Sequence, residues 1–268
     1  MKRSPKIMTG FCGAIAALLW ALPVSAETPE PQRQTLEAPN PERILFIGNS
    51  YFYYNDSLHN HVVRMAREGV AEIADSLVYK SATIGGASLE QHPVAQHLEP
   101  GRLNVDEPFD LVILQGGSAE PLSDERRRRF REMAMQHAKT VRAAGAEVAL
   151  YMTHAYVEPH RRASETMIDT VSEAYLSVGN EIDALVIPVG LAFDEAYRQR
   201  PDIELHKPFD GSHPSLLGTY LAASVVFATL YEKPASGLEY NYFDAVSDDD
   251  AAFLQGIADE TVADFFRR

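Results

Sequence analysis

"RILFIGNSYFYYNDS", residues 43–57, holds a strand, a tight turn and a helix start in one short stretch. Ile44 to Ile47 form an apolar run of the kind found in a buried strand. Gly48-Asn49-Ser50 is turn chemistry. A helical pattern follows, with apolar residues at Leu58, Val62 and Met65 and a stop at Gly69. A strand delivered through a tight turn into a helix is the opening unit of an α/β fold. Ser50 has two readings at this point: a helix N-cap, or a hydrolase nucleophile presented at the carboxyl end of a strand. It is not the G-x-S-x-G elbow, because Phe52 stands where the second glycine belongs.

The same alternation continues along the chain. "DSLVYKSATI" (75–84) predicts a second strand, then Gly85-Gly86 and a helix starting near Ser88. "FDLVILQ" (109–115) is almost wholly apolar and predicts a central strand. The segment from Ser123 to Gly145 predicts a long helix with a serine cap and a glycine stop. "AEVALYMT" (146–153) and "DALVIPV" (183–189) predict the fourth and fifth strands, with a helix from about Ser164 to Ser177 between them. "SLLGTYLAASVVFATLYE" (215–232) predicts a strongly apolar helix, and residues 247–268 close the chain. Strands alternating with helices imply a three-layer αβα sandwich on a parallel five-stranded sheet, flavodoxin-like in plan. There is no internal repeat, so residues 42–268 are expected to form one domain. In such sheets a site lies at the carboxyl ends of the strands.

The amino end has a different character. Lys2, Arg3 and Lys6 precede an apolar run from Ala14 to Leu22, and Val24-Ser25-Ala26 fits signal-peptidase cleavage. That run falls short of the roughly 20 residues of a permanent span, so residues 1–26 predict a cleaved export signal. The protein is then expected in a periplasm or outside the cell, without a stable membrane anchor. Removal of the signal takes away Cys12, the chain's only cysteine, so no disulfide is expected. Residues 27–41, rich in proline and acid, predict a flexible leader. The chain carries a net charge of −14, which argues against nucleic acid or anionic lipid as the main partner. Arg126 to Arg129 is the one cluster of bases beyond the signal, and within a helix it reads as a solvated face.

A serine hydroxyl needs a neighbouring base before it attacks anything at neutral pH. "KPFDGSHPSLLGTYLAA" (207–223) supplies one. Asp210 and His213 lie three apart in a loop before the apolar helix. That spacing lets a carboxylate hold Nδ1 and leaves Nε2 for a serine. The pattern also fits an Asx turn beside a helix cap. Other histidines carry no ligand pattern: His59 and His61 are two apart on a helix, and His92, His97 and His160 have no cysteine or ligand spacing around them. No metal and no organic cofactor are expected.

A Gly-Asn-Ser turn after the first strand, a glycine pair after the second, and D-x-x-H before the last apolar helix together resemble the SGNH, or GDSL, hydrolases. The resemblance runs in order over nearly all of the chain beyond the signal. It implies Ser50 as nucleophile, His213 as base, Asp210 as its orienter, and the N–H groups of Ser50 and Gly86, or its neighbour Gly85, as oxyanion donors. One motif departs from the family. After the third strand the family carries G-x-N-D, whose asparagine is the last oxyanion donor, and this chain has "VILQGGSAEP" (112–121). Gln115 has the same amide and is the expected donor, although a glutamine satisfying loop backbone fits as well; Ser118 is the one residue at the asparagine's place that could donate. "QGGS" also resembles the Q-G-E-S of sialate and xylan acetylesterases. Tyr51, among the aromatics that follow the nucleophile, and His154, at the end of the fourth strand, are candidates to contact substrate; packing against the sheet for the former and a core histidine satisfied by backbone for the latter fit as well. The resemblance implies a serine esterase acting on short acyl esters, acetyl groups on carbohydrate among them. Its rivals are a lipase or thioesterase for longer chains, and a non-catalytic glycan-binding protein on the same scaffold.

Overall fold

The computed structural model describes residues 29–267 along with Met1. The predicted export signal, Cys12 included, and the first residues of the leader lie outside the described residues. Five strands form the sheet: β1 (Arg43–Gly48), β2 (Val78–Thr83), β3 (Leu111–Leu114), β4 (Glu147–Tyr151) and β5 (Leu185–Ile187). They run in the order β2-β1-β3-β4-β5, with every pairing parallel. Side chains alternate between two cores, as a parallel sheet covered on both faces requires. Ile44 and Phe46 of β1, with Leu111 and Ile113 of β3, enter one core. Leu45, Ile47, Val112 and Leu114 enter the other.

Helices α2 (Leu58–Gly69), α6 (Val189–Gln199), α7 (Leu216–Tyr231) and α8 (Asp248–Phe266) cover the first face. Helices α4 (Asp124–Ala143) and α5 (Met167–Glu181) cover the second. Two short helices, α1 (Ser50–Tyr53) and α3 (Val94–His97), complete the set among the described residues. Ser123 caps α4 by accepting from Arg126 N–H, and Ser247 caps α8 by accepting from Asp250 N–H. Helix α7 is buried almost all round, which accounts for its unbroken apolar sequence.

Four expectations change. The helix expected near Ser88 is a single 3₁₀ turn, Leu89–Gln91, locked by a Ser88–Gln91 capping box, before the short α3. The helix expected from Ser164 begins at Met167, because residues 153–166 form a long loop. Helix α6 was not anticipated: the apolar run through Pro188 reads as strand, yet β5 ends at Ile187 and the helix starts after that proline. The leader is held over residues 30–38 instead of flexible. Arg33 bridges Asp183 at 2.9 Å and Glu147 at 2.8 Å, and Glu147 also accepts from Glu37 and Ala38 N–H. Glu147 opens β4, so this strap crosses the amino end of the sheet. The opposite end stays open.

Among the described residues no helix is long and apolar enough to cross a membrane.

Candidate active site

The strand order reverses beside β1, and the loops leaving the carboxyl ends of β1, β2 and β3 meet there. Gly48 ends β1. A Cβ on it would stand 2.5 Å from Gln115 Oε1, so the chain can turn here only without a side chain. Asn49 then caps α1 by accepting from Tyr51 N–H at 3.1 Å, while its amide donates to Ala87 O at 2.9 Å. The cap is therefore Asn49, which removes the capping reading of Ser50. As the first residue of α1, Ser50 has an N–H without an intrahelical acceptor.

Ser50 Oγ lies 2.9 Å from His213 Nε2. His213 Nδ1 lies 2.5 Å from Asp210 Oδ2. The other oxygen of Asp210 accepts from Ser212 N–H at 2.8 Å and His213 N–H at 3.0 Å. Burial alone would raise the Asp210 pKa; the hydrogen bonds from His213 and the two backbone groups outweigh it and hold the carboxylate below its ordinary range. An ionised Asp210 fixes the Nδ1–H tautomer, so Nε2 presents its lone pair to the serine. Tyr54 stacks on the His213 ring at 4.5 Å.

The glycine pair after β2 sits across from Ser50. Ala87 N–H closes a turn onto Ile84 O at 3.1 Å, and Gly86 takes φ +70 within it, a conformation that glycine adopts without strain. Gly86 lines the cleft beside Ser50 and His213, and Gly85 does not. The cleft has a volume of about 590 Å³. Its outer wall is polar and charged: Glu90, Gln91, Glu125, Arg126 and Arg129.

Three expected site residues have other work. Gln115 is fully buried. Its Oε1 accepts from Asn49 N–H at 3.0 Å and its Nε2 donates to Gly116 O. The amide braces the Ser50 turn, and Gln115 does not line the cleft. His154 is also fully buried, stacked between Tyr51 at 4.2 Å and Phe193 at 4.4 Å. Burial pushes its pKa well down, and it is no substrate contact. Tyr51 borders the cleft but is 3% exposed. Its hydroxyl bonds Ser212 Oγ at 3.0 Å, and its ring backs the loop that carries His213.

Two features escaped the sequence reading. Arg126 and Arg129 are solvent-exposed, as expected, but also line the cleft, because α4 begins directly after the loop from β3 at the carboxyl edge of the sheet. The second is Glu120. Its carboxylate lies 2.5 Å from Gly117 N–H, and burial pushes its pKa up to about 7 despite that hydrogen bond. Ser118 stands on the same cleft. Its Oγ accepts from Tyr156 OH at 2.8 Å and is also hydrogen-bonded to Tyr51. Among the described residues, no cluster of His, Cys, Asp and Glu is arranged to hold a metal ion.

A parallel α/β sandwich with a serine, a histidine and an aspartate in hydrogen-bonded sequence at its carboxyl edge has the layout of a serine hydrolase. No family model and no curated protein matches the chain. Solved structures do. A DUF4886 family protein from Bacteroides uniformis is 19% identical, with a TM-score of 0.63 over 82% of this chain and 93% of its own. A candidate SGNH hydrolase from Slackia heliotrinireducens is 25% identical, with a TM-score of 0.55 over 71% of this chain and 99% of its own. A catalytic mutant of an acetylxylan esterase from Geobacillus stearothermophilus is 15% identical, with a TM-score of 0.54 over 73% and 96%. The chain shares its fold with these neighbours, an SGNH hydrolase and an acetylxylan esterase among them.

Proposed function

We propose that the protein is a serine esterase that removes short acyl groups from polar alcohols, O-acetyl groups on carbohydrate among them. The observation that carries this reading is the 2.9 Å contact between Ser50 Oγ and His213 Nε2, backed by Asp210. His213 Nε2 takes the Ser50 proton as Oγ attacks the ester carbonyl carbon. The oxyanion collects at the N–H groups of Ser50 and Gly86, with the Ser118 hydroxyl as third donor in place of Gln115. His213 returns the proton to the leaving alcohol, and the C–O bond breaks. Water then attacks the acyl-serine with His213 again as base, and the acid leaves.

The wall of the cleft supports a small acyl group on a polar alcohol. Charged and amide side chains such as Glu90, Gln91, Glu125 and Arg126 suit hydroxyl groups and would leave a long alkyl chain against desolvated polar atoms. The acetylxylan esterase among the neighbours is consistent with that class. The ordered Ser–His–Asp contact weighs against a purely glycan-binding protein, which has no use for it. We place the protein beyond the cytoplasmic membrane, on the signal pattern ending at Ala26; amino-terminal sequencing of the mature protein tests this.

The deciding experiment is hydrolysis of p-nitrophenyl acetate, butyrate and octanoate, with fluorophosphonate labelling in parallel. Turnover that falls with chain length, and labelling lost in Ser50→Ala, uphold the reading. Octanoate as the best substrate points to a lipase. An unlabelled wild type removes catalysis altogether.

A further inference from the structure

The proposed base rides on a loop, residues 200–215, between α6 and α7. Loops of this length ordinarily move, and a general base must stay within hydrogen-bond reach of the proton it takes. Here four consecutive carbonyls around it are each held by a donor. Ser212 O faces His154 Nε2 at 2.8 Å. His213 O accepts from Lys207 N–H at 2.7 Å. Pro214 O and Ser215 O both accept from Asn55 Nδ2, at 3.0 and 2.8 Å.

Two of these donors come from outside the loop, and both belong to segments that build the site. Asn55 lies in the turn that directly follows α1, the short helix that Ser50 opens. It sits at φ +53, a left-handed conformation that asparagine tolerates. Its own carbonyl is tied to His61 Nε2 at 2.7 Å, and His61 Nδ1 to Tyr240 OH at 3.0 Å, so the anchor is itself anchored. His154 comes from the end of β4. With Nε2 donating to Ser212 O, its Nδ1 is buried without a hydrogen-bond partner among the described residues. An unpaired buried nitrogen destabilises the fold. A phenylalanine would fill the slot between Tyr51 and Phe193 without that penalty, so what the imidazole adds there is the Nε2 donor.

We propose that Asn55 and His154 are positioning residues that clamp the loop on either side of His213 and so set Nε2 against Ser50. Asn55 links base to nucleophile directly, and any shift of the Ser50 turn carries the loop with it. The proposal rests on His213 being the base.

The test uses Asn55→Gly, which keeps the positive φ, and His154→Phe, which keeps the stack. Turnover of p-nitrophenyl acetate and the rate of Ser50 labelling by a fluorophosphonate are measured with the melting temperature. The expected result is a fall in kcat and labelling rate of about ten- to a hundredfold, with KM little changed. The same substitutions in a His213→Ala background should leave the residual labelling rate unchanged, because their effect passes through the base. Asn55→Asp, equally at home at positive φ but without the donor, should match Asn55→Gly and replaces it if the glycine variant does not fold. Folded variants with wild-type kcat overturn the proposal, as does an equal fractional loss in the His213→Ala background. Wild-type turnover in His213→Ala alone would instead remove the reading of His213 as base.

Discussion

Glu120 offers a stability measurement whose size and sign both follow from its surroundings. The carboxyl is 6% exposed, and burial raises its pKa from the ordinary 4.5 to about 7, with the Gly117 N–H opposing. A raised carboxyl pKa means that the folded protein binds the proton more tightly than the unfolded chain. The stabilisation is fully present below about pH 4.5 and is lost as pH climbs through about 7. At about 1.4 kcal/mol per pH unit between those values the whole effect is roughly 3 kcal/mol, of which about 2 kcal/mol falls between about pH 5 and about pH 8. Glu120→Gln keeps the shape and an oxygen acceptor for Gly117 N–H but does not titrate. Urea unfolding of both proteins at the two pH values isolates the group, because every other titration is shared. The wild type should lose about 2 kcal/mol more than Glu120→Gln over that interval. Equal losses in the two proteins would refute the account of a carboxyl at the cleft whose pKa is raised by burial.

Ser50→Ala should fold normally, since the cap is Asn49, and should lose esterase turnover by a factor on the order of 10⁴ or more; circular dichroism and the p-nitrophenyl acetate assay read the two. Asp210→Asn should cost a similar factor, because Nδ1 no longer faces an anion and the tautomer changes; a kcat within tenfold of wild type would refute it. Gln115→Leu strips the partners from Asn49 N–H and Gly116 O, each worth about 1–3 kcal/mol when buried unpaired, so it should appear chiefly as a lowered urea midpoint. Unchanged stability with a kcat loss would restore Gln115 to the oxyanion hole. Ser118→Ala should lower kcat on the order of a hundredfold with the melting temperature almost unmoved.

Several parts of this protein were legible without coordinates. Ile44 to Ile47 and Leu111 to Leu114 had to be buried strands, because apolar runs bounded by turn residues have few other uses. Asp210 and His213 could be paired because their contact is local: one short loop brings Oδ2 to Nδ1 and turns Oδ1 onto the backbone N–H groups of Ser212 and His213. The Gly-Asn-Ser turn carried its own geometry for the same reason. Helix α6 was hidden because an apolar run through Pro188 fits strand and helix alike, and only packing against α7 decides between them.

The roles of the remaining polar residues were set by distant parts of the chain. Gln115 was expected at the oxyanion because its amide suits that task. In the structure Asn49 N–H, 66 positions away in sequence, donates to Gln115 Oε1 and draws the side chain to the Ser50 turn. His154 read either as a substrate contact or as a core histidine satisfied by backbone, and Tyr51, Phe193 and the Ser212 carbonyl decide for the second. Arg126 is solvated as expected, and only the placement of α4 shows that it also borders the cleft. Periodicity and turn chemistry are properties of neighbouring residues, so the sequence alone determined the sheet, most of its long helices and the Asp210–His213 pair. A buried polar atom must find a partner wherever the fold delivers one, so only the tertiary structure decided which donors and acceptors serve the site and which hold it in place.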